Sequence, residues 1–121
     1  MAIIYNPNKK IFTLHTAHTT YQMQVDTLGY LLHLYYGEKT NSSMDYVLTY
    51  ADRGFSGNPY AAGMDRTYSL DALPQEYPSL GTGDYRNIAL NIKNEKGVES
   101  ADLLFKSYEI RNGKYQLQGL P

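Results

Sequence analysis

The chain has 121 residues, enough for one domain with its own core and too few for a (β/α)8 barrel enzyme. With 11 Lys plus Arg against 12 Asp plus Glu the net charge is −1, so no basic field draws nucleic acid or an anionic membrane. Cysteine is absent, which excludes disulfides and thiolate metal sites, and a 42% hydrophobic content fits a folded domain.

The opening Met-Ala-Ile-Ile-Tyr-Asn-Pro has no charged segment followed by an apolar one, so no signal peptide is expected. No stretch has the apolar length of a membrane span, and the expectation is a soluble cytoplasmic protein. Tyrosine is over-used, with 13 Tyr against 3 Phe and no Trp. That suits half-buried strands and interfaces, where the ring packs and the hydroxyl stays bonded.

Asn6-Pro7-Asn8 is a turn signal. Beyond it Phe12, Leu14 and Thr16 share one face of a strand. Tyr21, Met23 and Val25 alternate with Gln22 and Gln24, as in a strand with one face buried. Asp26-Thr-Leu-Gly29 supplies the next turn. Tyr30 to Tyr36 is apolar on both sides except at His33, the pattern of a strand covered by two layers.

From Gly37 to Tyr85 the alternation lapses, apart from a short strand candidate at Tyr46 to Tyr50. Long segments without periodicity are uncommon in compact domains and tend to be functional or interface-forming. Alternation returns at Ile88, Leu90 and Ile92, and Ala101 to Ile110 is a final long strand candidate. Arg111-Asn112-Gly113-Lys114 is a hairpin signal, with Tyr115 and Leu117 returning on the partner strand. No amphipathic helix is predicted. Six to eight strands point to an all-β, antiparallel β-sandwich with Met23, Val25, Leu32, Leu34, Ile88, Leu90 and Phe105 in its core.

Few motifs carry chemistry. His15 and His18, three apart on a strand, point to opposite faces and cannot jointly chelate, so no metal site is expected. Gly81-Thr-Gly83-Asp84 lacks the Gly-Lys-Ser/Thr ending of a phosphate loop and no helix follows. The carboxylates Asp52, Asp65, Asp71, Glu76 and Asp84 read as turn caps and as partners of Arg53, Arg66 and Arg86.

The stretch from Asp65-Arg-Thr-Tyr-Ser-Leu-Asp71 through Pro74, Glu76, Pro78 and Gly81-Thr-Gly83-Asp84-Tyr-Arg86 closely resembles a segment near the N-terminus of bacterial family-36 α-galactosidases. The resemblance extends to Ile4-Tyr5-Asn6-Pro7, to the run from Gly29-Tyr30 to Tyr35-Tyr36-Gly37, and to Ala51-Asp52-Arg53-Gly-Phe55-Ser56. It also includes the ending Lys106-Ser-Tyr108 to Gly119-Leu120-Pro121. It implies that residues 1–121 are the N-terminal part of a large supersandwich-type β-domain, interrupted within that domain, with the catalytic barrel lying downstream. No catalytic residue, metal or cofactor is then expected in this chain.

The full enzyme would be a retaining hydrolase of melibiose and raffinose-type sugars, with an Asp nucleophile and an Asp acid/base. It would be a homo-oligomer, a tetramer, in which this region supplies subunit contacts. By the same resemblance the Asp52 loop reaches a neighbouring subunit's active site and Asp52 contacts substrate there. Arg53 and Phe55 flank it, either supporting the loop or stacking on sugar, and Tyr36, which stands where relatives often carry Trp, is a further candidate to stack on substrate. Two rivals remain open: a free-standing carbohydrate-binding module, and an OB-fold-like nucleic-acid binder with tyrosine platforms, which would need a basic groove.

Overall fold

A computed structural model describes residues 2–54, 57–114 and 119. Among the described residues the fold is all-β and antiparallel, as expected, with one four-stranded sheet in the order β1-β2-β3-β4. The strands are β1 (Ala2–Asn6), β2 (Ile11–His15), β3 (Thr19–Val25) and β4 (Leu31–Glu38). Among the described residues helix is confined to two three-residue 3-10 turns, Asp45–Val47 and Tyr60–Ala62.

Each hairpin is closed by turn chemistry visible in the sequence. Asn6 Oδ1 accepts from the amides of Asn8 at 3.0 Å and Lys9 at 3.2 Å, and Lys10 takes a positive φ of 54° to re-enter the sheet. Thr16 Oγ1 accepts from the amides of His18 and Thr19, so Thr16 belongs to the turn rather than to the strand face. Asp26 Oδ1 accepts from the amides of Leu28 and Tyr30, both at 2.9 Å. Strand β1 is an addition to the expected set. Its Ala-Ile-Ile-Tyr-Asn run pairs with β2 from Ala2↔His15 to Asn6↔Ile11.

Directly opposed residues of an antiparallel pair share a face, so the registers sort the side chains. One face carries Tyr5, Phe12, Tyr21, Met23, Val25, Leu31 and His33. The other carries Ile11, His15, Thr20, Gln22 and Leu32. A register shift between Gln22 and Met23 lets β4 bend past β3.

Both faces are covered, as the apolar character of Tyr30 to Tyr36 implies, but irregular chain does the covering. On the first face Phe105 packs tilted and Tyr108 edge-on against Phe12, with ring centroids 5.8 and 4.9 Å away. On the second, Leu32 enters a buried cluster with Tyr30, Tyr68, Leu70 and Leu73. Burying one such leucine contributes about 1.5–3 kcal/mol. Residues 40–44 cross the polar part of that face. Thr20 Oγ1 donates to Thr40 O and accepts from Thr40 N, while Gln22 Nε2 donates to Ser42 O and Gln22 Oε1 accepts from Met44 N.

Several strand expectations are corrected. Residues 45–47 form a 3-10 turn in place of a strand, with Tyr46 exposed. Residues 88–92 and 101–110 show no strand, leaving four strands among the described residues instead of six to eight. A strand needs a ladder partner. In these two segments only Ala89, Ala101 and Phe105 donate a backbone amide to another described residue's carbonyl, to Pro78, Leu80 and Gly29 respectively. Val25, Leu32 and Leu34 are core as expected, but Leu90 is 39% exposed and Met23, Ile88 and Phe105 are only half-buried. Gln22 is instead the buried residue of β3's centre, its amide nitrogen and oxygen each bonded to backbone. At the expected hairpin only Gly113, not Asn112, has a positive φ, so the turn is not type I′. Its returning residues Tyr115 and Leu117 lie outside the described residues.

Candidate functional site

The loop bearing Asp52 leaves the 3-10 turn in extended form. Leu48 packs against the buried cluster, and the Tyr50 ring lies 5.9 Å from Tyr68. Tyr68 in turn donates its hydroxyl to Asp26 Oδ2. Burial first, and then this bond, pushes the Tyr68 phenol far above its ordinary range, so it stays a donor. The root of the loop is thereby tied to the β3–β4 turn.

Beyond this root the chain is exposed. Asp52 Oδ1 accepts from the Gly54 amide at 2.8 Å, an Asx turn. Arg66 reaches the same carboxylate, with Nη2 at 3.4 Å from Oδ1 and Nε at 3.3 Å from Oδ2. Arg66 itself stands on a fixed turn. Asp65 Oδ1 accepts from Thr67 N at 2.9 Å and from Thr67 Oγ1 at 2.6 Å, which hold that carboxyl below its usual range. Asn58 Nδ2 donates to the Gly63 and Asp65 carbonyls. Downstream of the loop, Gly57 lies against Gly83, where an added Cβ would sit 3.1 Å from Gly57 O. Only glycine permits that approach.

This platform is held from beneath by Asp84, 3% exposed. Its carboxylate accepts from Arg86 N, Nε and Nη2 and from Gln75 Nε2. Burial raises the Asp84 pKa, but the bonds from Arg86 and Gln75 outweigh it and leave the group below its ordinary value. Arg86 Nη2 also donates to the carbonyls of Leu70 and Leu73, which closes the loop over the core.

A second polar cluster lies on the sheet. The Tyr21 hydroxyl contacts both oxygens of Glu76, at 2.6 and 2.5 Å, and His33 Nδ1 lies 3.1 Å from Oε1. Burial, followed by the Glu76 bond, raises the Tyr21 phenol. Tyr36 is 68% exposed and its ring lies 6.1 Å from that of Tyr21.

The site residues expected from sequence therefore fall in two places. Asp52 is exposed and joined to Arg66. Arg53 is exposed and pairs with none of the described residues. Tyr36 belongs to the Tyr21–Glu76 cluster and shares no partner with Asp52. Phe55 lies outside the described residues. The expected pairings of loop acids with arginines hold for Asp52 and Asp84. Asp65 caps its turn instead, and Asp71 accepts from the distant Tyr85 amide, fourteen residues on. The partnership of Glu76 with Tyr21 and His33 was not legible. The lone polar residue in an apolar strand was its single sequence signal.

This geometry has close counterparts. Residues 29–121 match the glycosyl hydrolase family 36 N-terminal domain. The chain is 98% identical over all its length to the bifunctional α-galactosidase/sucrose kinase AgaSK of Mediterraneibacter gnavus, of which it covers 13%. It is 40% identical over its full length to α-galactosidase AgaA of Geobacillus stearothermophilus, of which it covers 16%. The solved galactosidase domain of AgaSK superposes with a TM-score of 0.92 at 98% identity, over 99% of this chain and 17% of that one. A variant of AgaA crystallised in complex with raffinose superposes with a TM-score of 0.81 at 40% identity, over 93% of this chain and 16% of that one. The chain thus spans well under a quarter of the length of the relatives it matches.

Proposed function

The chain belongs to the glycosyl hydrolase family 36 N-terminal domain family, and we propose that it serves as the non-catalytic N-terminal portion of an α-galactosidase. The whole enzyme releases terminal α-linked galactose from melibiose and raffinose-type oligosaccharides. AgaA has been crystallised with raffinose and with stachyose, and that substrate class is carried over to this protein. Hydrolysis is retaining, by two carboxylates that lie in the remainder of the polypeptide. Residues 1–121 build part of the β-sandwich, contribute subunit contacts in a cytoplasmic homo-tetramer and present the Asp52 loop to a neighbouring active site.

The observation that carries this reading is the exposed Asp52 carboxylate, mounted on a braced loop and facing no core. A loop acid that is held but not buried is placed to meet a ligand or a partner. Among the described residues no helix is long and apolar enough to cross a membrane, and no His, Cys, Asp or Glu cluster suits a metal.

The test compares the 121-residue chain with the full-length protein on an aryl α-galactoside and on raffinose. Turnover by the full-length protein alone is expected. Turnover by the short chain that disappears on replacing one of its own aspartates contradicts the reading. Raffinose binding without turnover by either points to the free-standing carbohydrate-binding module.

A further inference from the structure

We propose that Arg66 is a positioning residue that fixes the Asp52 carboxylate so that its Oδ2 is presented to a sugar hydroxyl. The inference rests on the reading of Asp52 as a substrate contact and specifies how that contact is prepared.

A carboxylate offers about four lone-pair sites. Two hydrogen bonds are accepted from the described residues, both by Oδ1, from Gly54 N and Arg66 Nη2, while Arg66 Nε meets Oδ2 only as an ion-pair contact at 3.3 Å. Among the described residues no hydrogen bond is made to Oδ2, and that oxygen is left for a sugar hydroxyl. The guanidinium fork sets the plane of the carboxylate, which a point-charge ammonium would not do.

The two partners are anchored unequally. Arg66 lies between Asp65, tied to Thr67 and Asn58, and the buried Tyr68–Ser69–Leu70 stretch that begins two residues on. Asp52 lies on a loop whose own local brace is the Gly54 amide. Arg66 is therefore the fixed member and Asp52 the one held. Their side chains are 66% and 48% exposed. Exposed pairs contribute little to folding stability, so the consequence of this pair falls on orientation.

The test uses the full-length enzyme, with kcat and KM on raffinose and the melting temperature measured together. Arg66→Ala lowers kcat/KM about five- to tenfold, mainly through KM, because a freed carboxylate must be ordered on binding. Its melting temperature stays within about 2 °C of wild type. Arg66→Lys keeps the charge without the fork and falls between the two. Arg66→Ala added to Asp52→Ala changes nothing further, since the group it positions is gone. Lys93→Ala, at an exposed pair with Glu99 elsewhere on the surface, leaves the kinetics unchanged.

The outcomes separate the two ideas. Unchanged kinetics in Asp52→Ala overturn the substrate-contact reading and this proposal with it. A loss in Asp52→Ala without one in Arg66→Ala or Arg66→Lys overturns the positioning role alone. Additive losses in the double variant also overturn it, because Arg66 then touches sugar by itself.

Discussion

Residues 2–38 are held by ladder hydrogen bonds between neighbours in sequence, whereas residues 39–114 are held by side chains that bond backbone far along the chain. In the first region each strand pairs with the next and each turn is closed by its own Asn, Thr or Asp. In the second, Arg86 reaches the carbonyls of Leu70 and Leu73, Gln22 reaches across to Ser42 and Met44, and Glu76 ties to Tyr21. A locally closed sheet can be read from a short window. A loop region built from distant polar ties cannot, yet that region carries the candidate site.

The deepest shared element is Leu32, fully buried between the sheet and the 68–73 segment. Leu32→Ala should cost about 2–5 kcal/mol, the range for a buried leucine truncated to alanine. Both regions should unfold together in urea. Separate transitions would show that the two regions do not share a core.

A narrower effect is expected at Arg86. Arg86→Ala leaves the buried Asp84 carboxylate without its main partner and should cost about 3 kcal/mol. Hydrogen exchange should quicken over residues 68–86 while the β2–β3 ladder stays protected. The pH dependence has a definite sign. In the wild type the folded Asp84 pKa is depressed, so its stabilisation is present above the unfolded value near ~4 and is lost as pH falls through the folded value. The variant lacks the bonds that depress the pKa. Lowering the pH from 7 to 3 should therefore cost it less stability than wild type loses. An equal loss in urea midpoint would remove Asp84 from the acid response.

Gln22→Ala tests the polar face of the sheet. It strips the Ser42 carbonyl and the Met44 amide of their partner and should cost about 1–3 kcal/mol. Exchange at 40–44 should quicken first. If Gln22→Leu proves as stable as wild type, the buried amide is packing rather than a tie.

These contrasts explain what the sequence reveals. The turns at Asn6-Pro7-Asn8 and Asp26 to Gly29 were legible because their chemistry is complete within a few residues. The covering of Tyr30 to Leu34 on both faces was legible from the apolar pattern, although the same pattern runs on to Tyr36, whose ring is exposed. The inward turn of Gln22 was not, because its partners lie some twenty residues on. Ile88 to Ile92 and Ala101 to Ile110 have strand alternation without ladder partners, and alternation alone does not make a strand. Asp52 stood out only through resemblance. Its bond to Arg66 joins two loop residues fourteen apart that no periodicity links.

The central claim is that the Asp52 loop serves ligand handling while stability resides elsewhere. The most direct measurement is kcat/KM on melibiose and the melting temperature of Asp52→Ala in the full-length enzyme. The account predicts a loss of about 1–3 kcal/mol in kcat/KM with stability changed by no more than about 0.5 kcal/mol. A large fall in melting temperature, or wild-type kinetics, would contradict it and leave Asp52 as a loop-shaping residue.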